Sequence, residues 1–262
     1  MRRPGRALAL LLLLSLLLSG CAAREQAPAA PEAESSAPAR PEQPEQSAVV
    51  SAPPEDHWEN PSPAWVERLP EAQESRQLCV VAVTEGTNAR FSLHQKGEGG
   101  TWGCLLEADA YIGKYGLGKT SEGDGKTPVG TFAFTRAFGI AADPGCAIPY
   151  VQVNGNHYWS GDQRPGMHYN ELVNVEDLPD LDRASSEHIE DFWEQYQYCL
   201  NISYNADGEP GKGSAIFLHC QGQYPYTGGC VAIPEKKMKK MLRLVQPDCA
   251  VVINTAEHLG AD

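Results

Sequence analysis

Eight short runs, rich in β-branched and aromatic residues and bounded by glycine, asparagine or aspartate, constrain this chain more than any other feature. They are Cys79 to Thr84, Ala89 to His94, Thr101 to Leu106, Gly130 to Phe134, Tyr150 to Val153, Leu200 to Tyr204, Ala215 to Cys220 and Ala250 to Asn254. Runs of four to six residues with turn formers between them read as strands, and 25 glycines supply the turns. Only two segments read as helix. Ser186 to Tyr198 has serine at its start and acids in its first turn, and Pro234 to Val245 opens on Pro-Glu and spaces Met238, Met241, Leu242 and Val245 along one face. The expected class is mostly β with a few short helices, and no internal repeat suggests a solenoid. A net charge of −13 argues against nucleic acid as a partner, because phosphate-binding surfaces need a surplus of Lys and Arg.

The N-terminus speaks to location. Arg2, Arg3 and Arg6 precede an apolar run from Ala7 to Leu18, about 18 Å long as a helix against a bilayer core of roughly 30 Å, so it reads as a signal peptide over 1–20. Leu18-Ser19-Gly20-Cys21 resembles the bacterial lipobox, which implies lipidation of Cys21, removal of 1–20 and an extracytoplasmic, membrane-anchored protein facing the cell wall. Residues 21–56 hold seven prolines and no aromatic residue, the composition of a disordered linker. A lead-in segment over 57–76, a catalytic domain over 77–255 and a C-terminal tail over 256–262 complete the expected organisation.

With Cys21 given to lipid, seven of the eight cysteines remain, so at least one thiol cannot pair within the chain. The segment from Gly213 to Glu235 reads GSAIFLHCQGQYPYTGGCVAIPE. Alternation puts Phe217 and His219 on one strand face and Ile216, Leu218 and Cys220 on the other. Gly228 and Gly229 allow a tight turn that presents the Cys230 thiol beside backbone N–H groups suited to an oxyanion. A nearby imidazole would favour the thiolate and pass protons to a leaving group, so Cys230 and His219 form a candidate dyad. A core histidine with a disulfide cysteine is the competing reading. No cysteine or histidine spacing, including His94, His168 and His188, forms a zinc pattern.

Several stretches together carry a family resemblance. The run from Tyr111, YIGKYGLGKTSEGDGKTPVGTF, with Tyr169-Asn170, Ser186-Glu187-His188, Tyr204-Asn205, SAIFLHC and TGGCVAIPE, resembles the L,D-transpeptidase (YkuD-type) catalytic domain of bacterial cell-wall enzymes. The resemblance implies a β-sandwich-like domain with Cys230 as nucleophile, His219 as its activating base, and Gly229, with Gly228, near the oxyanion site. It implies a reaction without metal or organic cofactor. Cys230 would attack the carbonyl of the third residue of a peptidoglycan tetrapeptide stem, release the terminal D-alanine, and pass the acyl group to an amine in a 3-3 cross-link. Water in place of the amine would make an L,D-carboxypeptidase, and loss of turnover would leave a wall-binding lipoprotein. The family's commoner Ser/Thr-His-Gly-Cys is here Thr227-Gly228-Gly229-Cys230, and Ala232 stands where an Arg or Asn is usual. Lys119, Glu122, Asp124 and Lys126 in the glycine-rich loop, with Tyr169 and Asn170, are candidate substrate contacts. His188 is a further candidate. Cys79, Cys104, Cys146, Cys199, Cys220 and Cys249 are left for structure, with any pairing open.

Overall fold

Inward and outward residues alternate along nearly every strand, and that alternation sorts the chain into one inner core and two outer layers. The computed structural model describes Asp56 and residues 58–262. The signal peptide, Cys21 and the linker up to residue 55 lie outside the described residues.

The lead-in forms α1 (Ala64–Glu67) and α2 (Glu71–Glu74). The strands are β1 (Gln77–Glu85), β2 (Asn88–Lys96), β3 (Trp102–Tyr111), β4 (Gly130–Gly139), β5 (Tyr150–Gln152), β6 (His157–Trp159), β7 (Leu172–Asn174), β8 (Glu187–His188), β9 (Cys199–Ile202), β10 (Phe217–Cys220), β11 (Val231–Ile233) and β12 (Ala250–Thr255). Helix α3 (Glu235–Leu244) follows β11, and α4 (Ala256–Leu259) follows β12.

The main sheet runs β12-β1-β2-β3-β11-β10-β9-β4-β5. It also closes on itself, because β4 pairs with β12 along Gly130 to Ala133 and with β9 from Phe134 onward, with a bulge between Phe134 and Arg136. The mostly β, sandwich-like domain is therefore present, with its strand ladder joined into a ring. The inner core takes Cys79, Val81 and Val83 of β1, Phe91 and Leu93 of β2, Leu218 and Cys220 of β10, Val251 and Ile253 of β12, and Met238, Met241 and Leu242 of α3. On one outer face, Leu78, Val80 and Ala82 are covered by Val66, Ala72, Ala256 and Leu259. On the other, Phe138, Phe217, Cys199 and Cys230 lie with Trp159, Ile189 and Tyr196, beside the small sheet β7-β6-β8. The residues expected as a C-terminal tail are partly α4, and Leu259 and Ala261 are buried.

All eight expected strands form, and α3 covers the second expected helix. The first is overturned. Ser186 to Tyr198 is instead β8, a 3-10 turn at Ile189–Phe192 and irregular chain. The Ser186 hydroxyl at its start donates to the Asp182 carbonyl and accepts from the Gly161 N–H, while Glu187 and His188 join β6 opposite Trp159 and Tyr158. Tertiary pairing outweighs a weak helical propensity in an aromatic-rich run. All seven described cysteines are free thiols. Cys199 and Cys220, on neighbouring strands, face opposite layers.

Candidate active site

Strand β10 places Phe217 and His219 outward and Leu218 and Cys220 inward, as alternation requires. Its parallel neighbour β11 sets Leu218 opposite Val231 and His219 opposite Ala232, so the chain entering β11 brings Cys230 beside Phe217. The Phe217 N–H donates to Cys230 Sγ at 3.3 Å, and the thiol donates to the Ala215 carbonyl at 3.1 Å. Cys230 and His219 line one cleft of about 410 Å³.

Burial governs both groups. It pushes the Cys230 thiol up to about 12, helped by the charge of Glu187 and opposed by the Phe217 N–H and Lys119. It pushes His219 down to about 4, against the pull of the Cys220 carbonyl. His219 Nδ1 lies 2.7 Å from that carbonyl, which only accepts, so Nδ1 carries the proton and Nε2 is the basic nitrogen. Among the described residues no hydrogen bond joins Cys230 to His219. The resting pair is thus a thiol and a neutral imidazole, and proton transfer between them must accompany attack on a substrate.

Two threonine hydroxyls fix the turn that carries the thiol. Thr227 Oγ1 accepts from the Gly229 N–H at 3.0 Å and donates to the Cys230 carbonyl at 2.7 Å. Thr127 Oγ1 accepts from the Gly113 N–H and donates to the Gly229 carbonyl, both at 2.8 Å. Gly229 has φ +149°, and a Cβ there would lie 2.8 Å from the Lys126 carbonyl, so the position needs glycine. Its N–H is taken up by the Thr227 hydroxyl. Gly228 lines the cleft.

The candidate substrate residues divide. Lys119 and Glu122 line the cleft. Asp124 and Lys126 do not, and Asp124 serves its own loop. Burial opposes its charge, but the N–H groups of Thr120, Lys126 and Ser121 and the Lys119 ammonium hold the carboxyl down at about 2. Tyr169 is buried and donates its hydroxyl to Glu122, which also accepts from Ser214. The Asn170 amide oxygen accepts from Trp159 Nε1 and the Ala215 N–H, and its nitrogen donates to the carbonyls of Tyr204 and Asn205. Asn170 therefore braces the chain behind Cys230, where Ala215 adopts a left-handed φ of 55°. Neither Tyr169 nor Asn170 lines the cleft. His188 lies away from it, bonded to Asp191 and the Gly155 carbonyl and stacked on Tyr158 at 4.6 Å.

Several cleft residues were not foreseen: Lys114, Glu187, Phe192, Gln195, Tyr196, Tyr224 and Tyr226. Tyr224 and Tyr226 stack at 5.4 Å in the loop between His219 and Cys230. A larger hollow of about 600 Å³, near Trp65, Arg90 and Lys237, is lined by neither cysteine nor histidine. Among the described residues, no three His, Cys, Asp or Glu side chains converge as a metal site requires.

The sequence model of the L,D-transpeptidase catalytic domain (YkuD) matches residues 80–253. Solved structures similar to this chain include an L,D-transpeptidase from Mycobacterium smegmatis, 11% identical over 68% of this chain and 59% of that one, with a TM-score of 0.32. L,D-transpeptidase 1 of Mycobacterium tuberculosis is 10% identical over 68% and 62%, with a TM-score of 0.31. The C442S mutant of Enterococcus faecium L,D-transpeptidase is 14% identical over 67% and 49%, with a TM-score of 0.29. This chain spans about half to three fifths of the length of those proteins. No curated protein sequence is similar enough to count as a match. The matched span runs from β1 to β12 and takes in both Cys230 and His219, and on it the chain belongs to the L,D-transpeptidase (YkuD) catalytic-domain family.

Proposed function

We propose that this protein is a cell-wall L,D-transpeptidase that works outside the cytoplasm, held to the membrane by lipid on Cys21. Cys230 gives its proton to His219 Nε2 and attacks the carbonyl of the third stem residue. His219 hands that proton to the departing D-alanine amine, leaving a thioester on Cys230. An amine of a neighbouring stem then takes the acyl group and restores the thiol. The thioester conserves the energy of the broken peptide bond, so no ATP is needed. Gly228 and the backbone around it face the developing oxyanion, and Lys119 and Glu122 contact the stem.

The observation that carries this reading is the convergence of Cys230 and His219 on one cleft, with the thiol fixed by backbone contacts at Phe217 and Ala215. The test is incubation of the purified protein with disaccharide-tetrapeptide, read by mass spectrometry, with Cys230→Ala as control. Loss of D-alanine with dimers supports the transpeptidase. Monomeric tripeptide alone makes the protein an L,D-carboxypeptidase, and no change makes it a wall-binding lipoprotein.

A further inference from the structure

Glu187 is a carboxyl group that the dyad chemistry leaves without a task. Strand β8 sets it opposite Trp159 and on the wall of the Cys230 cleft. Its Oε2 accepts the Tyr196 hydroxyl at 2.8 Å. Tyr196 in turn stands edge-on to His219, with ring centroids 5.5 Å apart. Among the described residues nothing donates to the other oxygen, Oε1, and no cation pairs with the group.

The chemistry of the cleft asks for such a group. An acceptor amine arrives in water as an ammonium ion, and it cannot attack a thioester until it loses a proton. His219 is poorly suited to take it, since burial holds that imidazole at about 4. Burial pushes Glu187 up to about 7, with the Tyr196 hydroxyl pulling it down and Glu122 adding to the rise. It is thus about a thousandfold stronger as a base than His219, and about half ionised at neutral pH. The titratable and charged groups around it are the Tyr196 hydroxyl, Glu122 and Lys119 on the loop after β3, and the Cys199 and Cys230 thiols.

We propose that Glu187 is the acceptor-amine residue of this site: its open carboxylate oxygen binds the incoming ammonium group and removes its first proton. The inference rests on the transpeptidase reading. In the step, R–NH3⁺ gives one proton to the Glu187 carboxylate and its nitrogen attacks the thioester carbonyl. The C–N bond forms, the C–S bond breaks, and the second nitrogen-bound proton passes through His219 to the Cys230 sulfur. One ammonium ion, one carboxylate and one thioester become an amide, a thiol and a neutral acid, which later releases its proton to water.

The test uses the partition of the acyl-enzyme, which is independent of how fast the thioester forms. Disaccharide-tetrapeptide is the donor, and the acceptor is D-lysine, an ammonium at neutral pH, or hydroxylamine, which is uncharged there. Mass spectrometry reads the ratio of aminolysis to hydrolysis. Glu187→Gln is expected to lower that ratio at least tenfold with D-lysine, with a loss at least fivefold smaller for hydroxylamine. In the wild type the D-lysine ratio rises with pH through about 7; Glu187→Gln removes that limb and Tyr196→Phe moves it to higher pH. A ratio within twofold of wild type, equal losses with both amines, or an unmoved limb in Tyr196→Phe overturns the assignment. A wild-type thioester that neither amine intercepts also overturns it, while the cysteine chemistry stands. If no thioester forms on wild-type Cys230, the proposed function fails and this inference falls with it.

Discussion

Thr127 gives the sharpest test of how the nucleophile turn is held. Its side chain is fully buried, and its one hydroxyl joins the Gly113 N–H to the Gly229 carbonyl at 2.8 Å on each side. Thr127→Val keeps the shape and strands both partners. Each buried group left unpaired costs about 1–3 kcal/mol, partly offset because a hydroxyl no longer has to be buried, so the expected loss is about 2–4 kcal/mol. Thr127→Ser keeps both hydrogen bonds and deletes one buried methyl, a loss of about 1 kcal/mol. Urea unfolding followed by tryptophan fluorescence measures the gap, since Trp102 and Trp159 are both buried. The two variants should share a denaturant slope and differ in midpoint. The turn carries Cys230, so D-alanine release should also fall further in the valine variant than in the serine variant. A valine variant as stable as the serine variant would refute the reasoning.

Gly229→Ala should abolish activity and destabilise the fold, because of its positive φ and the Lys126 carbonyl, while Gly228→Ala, with open space around its Cβ, should keep the wild-type urea midpoint; equal midpoints would sink this. Alkylation of Cys230 by iodoacetamide should be slow at pH 7 and keep rising about tenfold per pH unit beyond pH 9, since burial holds the thiol near 12; a plateau below pH 8 would show a preformed thiolate. Stability against pH should carry two opposed contributions. His94 and His219 sit at about 4, so between their ordinary 6.5 and 4 the unfolded chain binds more protons and stability falls as pH falls. Glu187 sits at about 7, so the folded chain keeps a proton that the unfolded chain has lost, and stability falls as pH rises from about 4.5 to 7. Glu187→Gln removes only the second contribution and should gain roughly 2–3 kcal/mol over wild type between pH 5 and pH 8; an equal urea-midpoint difference at both pH values would contradict it.

The strands were legible because runs rich in β-branched and aromatic residues, such as CVVAVT and AIFLHC, stand between turn formers wherever a strand separates the inner core from an outer layer. Alternation along AIFLHC put His219 on the face opposite Cys220, and that face borders the cleft. Strands β6, β7, β8 and β11 are two or three residues long and were not among the expected runs, since so short a stretch carries no period. Reading Ser186 to Tyr198 as helix hid Glu187 and Tyr196, whose meeting on the cleft depends on β8 pairing with β6. Thr127 was hidden differently. It stood in a quoted stretch, but its hydroxyl acts on Gly229 across 102 positions, a partnership that local spacing does not encode. Asp124, Tyr169 and Asn170 were rightly singled out as polar and loop-borne, yet their groups face other parts of the protein.

The ring closed by β12 also dictates an order of events during synthesis. The β1-β2-β3 meander is contiguous in the chain and can form as soon as it emerges, leaving one edge of β1 bare. That edge is the one β12 later occupies in parallel, and β4 waits for the same strand along its first four residues. Two templates separated in sequence thus await one late segment, Ala250 to Thr255. A ribosome stalled before this point would release a chain with two exposed sheet edges, a substrate for chaperones and proteases. Because such long-range pairing is slow, the ring closes only well after its last strand has been made.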